Sequence, residues 1–152
     1  MSHDEALERL DRAACLELLR TVPIGRVAWA DDYGWVTVLP VNFVLDGDTI
    51  IFRTSAGAKL AAVEEQRPLT FQADDVEPAL QIGWSVVASG PAMVVTDAGE
   101  LDSLEGLRLA PWVRDAKPAF VRITARRLTG RRIPLHPGGT SVQSVDEEGS
   151  AF

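Results

Sequence analysis

The feature that most constrains the fold is a series of β-branched, apolar segments cut at short intervals by Asp- and Gly-bearing turns. "GRVAWA" is followed by "DDYG", then "WVTVLPVNFVL", then "DGD", then "TIIFRT". Val, Ile, Thr and aromatic runs between such turns are hairpin signals, and "DGD" between Leu45 and Thr49 is the sharpest of them. Segments joined this closely pair antiparallel with their neighbours. Pro40, inside the second run, implies an edge, a bulge or a break there.

Further strands are read in "PLTFQADDV", in "LQIGWSVVASGPAMVV" with "GP" as a bend, and in "AFVRITARRLTGRRI". The last alternates Val121, Ile123 and Leu128 against Arg122, Arg126 and Arg127, with slippage at "TAR". Residues 4 to 21 read as an amphipathic helix through Leu7, Leu10, Ala14, Leu18 and Val22, capped by Ser2 or Asp4 and stopped by Pro23 and Gly25. "GAKLAAVEEQ" and "TDAGELDSLEGL" read as two short helices, the second capped by Thr96 or Asp97. "PWVRDAKP" reads as a loop. The expectation is a mainly β fold of six antiparallel strands in a closed or nearly closed barrel, with short flanking helices. Residues 1–133 form the domain. The segment 134–152, rich in Gly, Ser, Pro and acids, is expected to be disordered.

The chain has 152 residues, a length that suits one domain. Its formal net charge of -7 argues against a nucleic-acid or anionic-membrane surface, while leaving room for a local cationic pocket. No apolar run approaches the ~20 residues of a membrane span. The single cysteine, Cys15, lies in an apolar stretch and reads as a small buried hydrophobe. With no leader-like segment at "MSHDEALERL", the expectation is a soluble cytoplasmic protein.

Catalytic side chains are scarce. His3 and His136 are the only histidines and lie near the two ends, so no nucleophile has a base beside it and no zinc set can be assembled. Asp74 and Asp75 read as strand-end turn residues rather than an acid/base pair. Chemistry, where it occurs, then falls to a cofactor.

"FRTSAGAKLAAV" offers a place for one. A strand ends in Arg53, Thr54 and Ser55, a small turn follows, and a helix begins with Lys59 in its first turn. Free amides at a helix N-terminus, hydroxyls and two cations suit a phosphate. Lys59 opposes the helix dipole, a cost that a bound anion offsets. A surface turn with incidental cations is the plain alternative. In "VLPVNFV", Pro40 and Asn42 interrupt an apolar strand. Either Asn42 satisfies a neighbouring backbone group, or the kinked strand presents backbone groups to a planar ligand. In "GWSVVASGPA", Trp84 and Ser85 are adjacent on a strand and face opposite ways.

Taken in this order and spacing, "GRVAWADDYGWVTVLPVNFVLDGDTIIFRTSAGAKLAAV", "LTFQADD", "GWSVVASGPAMVV" and "FVRITARRLTGRRI" resemble the pyridoxamine 5'-phosphate oxidase-related family of FMN-binding split β-barrels. The similarity is to its short, nitroimidazole-reductase-like branch and covers roughly residues 7–133. It implies a six-stranded Greek-key split barrel, a homodimer, and FMN at the subunit interface, with a deazaflavin coenzyme as the alternative. It implies that Phe52, Arg53, Thr54, Ser55 and Lys59 hold the flavin phosphate. Leu39, Pro40, Val41 and Asn42 would lie along the ring, and Trp84 and Ser85, with Arg131 near them, would approach from the partner. The implied activity is electron transfer between a nicotinamide or deazaflavin donor and a small acceptor. A non-catalytic flavin-binding or sensing module is the alternative. No residue is assigned as catalytic acid or base.

Overall fold

The computed structural model describes residues 7–54, 57–105 and 119–133. The strands are β1 (Glu8–Leu10), β2 (Ile24–Ala30), β3 (Val36–Asp46), β4 (Thr49–Thr54), β5 (Leu69–Glu77), β6 (Ile82–Gly90), β7 (Ala92–Val94), β8 (Ala119–Thr124) and β9 (Arg127–Ile133). Three helices accompany them: α1 (Arg12–Leu19), α2 (Ala58–Glu64) and α3 (Ala98–Glu105). The strands form one antiparallel sheet in the order β1-β9-β6-β5-β2-β3-β4-β8-β7, curled as the expected split barrel.

The strands number nine, not six, because two long segments break and a third was hidden. "LQIGWSVVASGPAMVV" divides at Gly90–Pro91 into β6 and β7. A Cβ on Gly90 would stand 1.8 Å from the Thr124 carbonyl oxygen, so only glycine allows the two backbones to approach there. "AFVRITARRLTGRRI" divides at Ala125 into β8, which pairs with β4, and β9, which pairs with β6. A tight turn marks the break, with the Arg126 amide donating to the Thr124 carbonyl at 2.9 Å. One strand-like segment thus feeds two distant parts of the sheet.

The first segment also differs from the expected helix over 4–21. Glu8–Leu10 extends against β9, and α1 begins only after Asp11, whose carboxylate accepts the Ala14 amide at 2.8 Å. A side-chain cap this close wins over helical periodicity upstream. Ser2 and Asp4 lie outside the described residues. Asp97 caps α3 by accepting the Glu100 amide at 2.9 Å. Asp74 and Asp75 are not turn residues, since β5 continues to Glu77 and pairs them with Ser85 and Trp84. The β3–β4 hairpin turns at Gly47, whose φ of +62° is the left-handed conformation a two-residue loop requires.

The core fills the inside of the curl. Phe52, Phe71, Ile50, Val27 and Val86 are fully buried, and Phe43 meets Phe71 edge-on at 4.7 Å. Cys15 is buried with them, and burial first, then Asp11, raises its thiol pKa.

Candidate functional site

β3 is paired along its whole length with β2 up to Asn42, but its register with β4 begins only at Phe43. Val36–Val41 therefore carries a sheet edge with no strand beside it among the described residues. An open edge is where a sheet tolerates proline, and β3 runs through Pro40 without a break. Backbone groups along such an edge are unspent and can meet a planar, hydrogen-bonding ligand. Of the ring-side residues, Leu39 and Pro40 are exposed, Asn42 is half-buried, and Val41 has its side chain in the core.

Past Phe52, where its pairing with β3 ends, β4 continues to Thr54, and α2 begins at Ala58. Phe52 is wholly in the core, so only its backbone is available to a ligand. Arg53 is half-buried and its guanidinium lies 5.6 Å over the Phe120 ring. Thr54, the next residue, is the one buried polar side chain among the described residues, at 3% exposure. Ser55 lies outside the described residues. The chain re-enters at Gly57, which caps α2 without any side-chain bond to its amides.

Lys59 sits in the first turn of α2, half-buried. No carboxylate among the described residues pairs with it, and desolvation alone pulls its pKa below the usual lysine range. A half-buried ammonium without a counter-charge is an uncompensated cost to the fold. Neither cation is splayed into bulk water. The donor set here (two cations, a hydroxyl and the uncapped end of a helix) fits a phosphoryl group.

Trp84 and Ser85 lie at the other side of the sheet, and they do face opposite ways. Trp84 packs against the core, whereas Ser85 points outward and accepts from Gln72 Nε2 at 3.3 Å. Gln72 also donates to Asp74 at 2.8 Å and accepts from Arg26 at 3.2 Å. Two adjoining hollows share Trp84: one of about 290 Å³ with Asp75 and Arg132 on its wall, the other of about 210 Å³ with Ser85 and Arg131. In the sheet order β5 and β2 lie between these residues and β3. Sequence reasoning missed Arg67, whose guanidinium bonds Glu65, Ala30 and Asp32. The run "EEQRP" at a helix end carried that signal.

A curled antiparallel sheet with one strand edge open among the described residues defines the class of split β-barrels. The sequence profile of the pyridoxamine 5'-phosphate oxidase family matches residues 11–132, and the chain belongs to that family. A Corynebacterium glutamicum protein provisionally named pyridoxamine 5'-phosphate oxidase is 32% identical, with a TM-score of 0.75 over 85% of this chain and 99% of its own. A FAD-binding protein from Mycobacterium smegmatis is 33% identical, with a TM-score of 0.69 over 82% of this chain and 96% of its own. An uncharacterised Mycobacterium tuberculosis protein is 33% identical over 82% of this chain and 84% of its own. No helix among the described residues is long and apolar enough to cross a membrane.

Proposed function

We propose that the chain is a flavin-dependent oxidoreductase that binds FMN and acts as a homodimer. The observation that carries this reading is Lys59: a half-buried, desolvated ammonium with no carboxylate partner among the described residues, in the first turn of the helix that follows β4. Arg53, Thr54, Ser55 and Lys59 would hold the phosphate, together with the Phe52 backbone. Leu39, Pro40, Val41 and Asn42 would lie along the ring, where β3 backbone groups orient it and the apolar side chains exclude water. Bound there, the flavin supplies one- and two-electron transfer that no side chain of this chain supplies. Electrons would pass from a nicotinamide or deazaflavin donor to a small acceptor.

Trp84 and Ser85 stand on β6, separated from β3 by two strands in the sheet order, and in this reading a second copy delivers them to the β3 edge. Exposed apolar side chains on the β2–β3 hairpin and along β3 support such an interface: Tyr33 is 89% exposed, Trp35 76% and Val38 57%.

FAD is the second reading of the cofactor, favoured by the FAD-binding relative of Mycobacterium smegmatis. One experiment tests both readings. The protein is purified, its absorption spectrum recorded, and the chromophore released by denaturation is identified by mass. A stoichiometric FMN supports the proposal, FAD replaces the cofactor, and a deazaflavin shifts the reading to that coenzyme. A colourless protein that takes up none of them overturns it. Anaerobic bleaching by NADPH or a reduced deazaflavin separates an enzyme from a binding module, which would not bleach with any donor.

A further inference from the structure

We infer that Arg67 is a positioning residue that fixes the phosphate end of the site to its ring end, an inference that rests on the flavin reading above. The phosphate end is α2, and the ring end is the β3 edge that leaves the β2–β3 hairpin. The C-terminal half of α2 is anchored by Ala62 and Val63, which are buried in the core, but its N-terminal turn has no such hold. It is short enough to be marginal by itself, its N-terminus has no side-chain cap, and Lys59 opposes its dipole.

Its C-terminus is where the helix is secured. The Gln66 amide donates to the Val63 carbonyl at 3.0 Å and the Arg67 amide to the Ala62 carbonyl at 2.9 Å. These are the paired bonds of a Schellman cap, and they place Gln66 in the left-handed region with φ of +58°. A non-glycine residue there costs about 1 kcal/mol, so the cap persists because something else holds this turn in place. Arg67 is that something. Its Nε donates to Glu65 at 2.8 Å, Nη1 to the Ala30 carbonyl at 3.3 Å and Nη2 to Asp32 at 2.6 Å. One rigid fork thus joins the end of α2, the end of β2 and the hairpin turn.

The hairpin is itself stiff. Asp31 accepts the amides of Tyr33 and Trp35 at 2.9 and 3.0 Å, and its own amide donates to the Trp35 carbonyl at 2.9 Å. β3 begins at the next residue, Val36. A single exposed ion pair would be worth little. Here the guanidinium is only 25% exposed and bonds three separate points of the chain, so its loss frees two elements from each other. A ligand gripped at both ends gains affinity only when its two sites are held at a matching separation.

The test compares FMN, which reaches both ends, with riboflavin, which lacks the phosphate. Both are titrated by fluorescence against the parent, Arg67→Ala, Arg67→Lys, Asp32→Asn, Lys59→Met and the Lys59→Met/Arg67→Ala double variant, with Tm recorded for each. Arg67→Ala is expected to weaken FMN about tenfold, the usual cost of removing a supporting contact behind a ligand-binding group. Riboflavin affinity should change by less than about twofold, since it uses one end only. Arg67→Lys keeps the charge but cannot span three acceptors and should resemble Arg67→Ala. In the double variant the Arg67 effect should vanish, because a helix that no longer grips phosphate gains nothing from being held. Equal losses on FMN and riboflavin, parent-like FMN binding by Arg67→Ala, or additive losses in the double variant would each overturn the inference. Should Arg67→Ala not fold, Arg67→Lys and Asp32→Asn carry the same comparison. A parent protein that binds neither flavin overturns the flavin reading and this inference with it, whereas the other failures overturn the inference alone.

Discussion

Among single residues, Lys59 couples stability to binding most directly. Desolvation lowers its pKa from the ordinary 10.5, so the folded chain releases this proton at lower pH than the unfolded chain does. Between the lowered value and 10.5 the unfolded state binds more protons, and stability of the free protein therefore rises with pH across that window. Lys59→Met should abolish this rise and raise Tm at neutral pH, because the penalty of a half-buried, unpaired ammonium is gone. Binding should move the other way. Loss of a charge-assisted hydrogen bond to phosphate costs about 2 kcal/mol, or roughly thirtyfold in FMN affinity, with riboflavin unaffected. In the parent, FMN affinity should fall as pH rises through the lowered pKa. Thermal melts and FMN titrations of both proteins across the alkaline range would show it. A variant that is less stable than the parent and binds FMN equally well would make Lys59 an ordinary packing residue.

At the scale of elements, the turns carried most of what the sequence made legible. "DDYG" and "DGD" located the β2–β3–β4 meander because Asp side chains and a left-handed Gly47 close those loops locally. The ends of β4 and α2 were legible for the same reason, as was the outward Ser85 beside an inward Trp84. What failed was anything decided by distant partners. Glu8–Leu10 looks helical by period, yet β9 recruits it as an edge strand. The alternation of Val121, Ile123 and Leu128 slips at "TAR", yet nothing local states that the chain changes partner strands there. The open edge of β3 depends on β4 parting from it at Phe52 while staying paired with β8 to Thr54, which no local pattern states. Arg67 acts on Asp32, 35 residues away, and so left only its helix-end position as a hint. The Gly90 bend gives this scale its own prediction. A methyl group at 1.8 Å from the Thr124 carbonyl oxygen cannot be absorbed by a side-chain rotation. Gly90→Ala should cost about 3 kcal/mol, a fall in Tm of roughly 10 °C. Its FMN affinity at low temperature should match the parent, because the bend lies behind β8 rather than at the β3 edge. An unchanged Tm would mean that β6 and β8 sit farther apart than described.

For the whole molecule, the arrangement of the site within one chain argues for two chains. The residues proposed to hold the phosphate belong to β4, which neighbours β3 in the sheet, and to α2, which follows it. The Trp84 and Ser85 wall lies beyond β2 and β5. A second copy related by a two-fold axis can bring its own wall to the first copy's open edge, and the exchange is reciprocal. The surface available for this contact has the right chemistry at its margin. Val36 and Val38 stand outward from β3 opposite Ala30 and Ala28 of β2, and Tyr33 and Trp35 extend the apolar strip. Its middle is polar but internally satisfied through Arg26, Gln72, Asp74 and Ser85, so it can be covered without stranding a charge. Val38→Glu places a carboxylate in that strip and should convert a particle of twice the 16.5 kDa chain mass into a monomer by light scattering. The monomer should also lose FMN, since its ring is then walled on one side only, while its Tm without ligand stays near that of a parent held monomeric by dilution. Two outcomes would decide the matter against this geometry: a Val38→Glu dimer, or a Val38→Glu monomer that binds FMN as tightly as the parent. The first would place the interface elsewhere on the sheet, and the second would make the flavin site complete within a single chain.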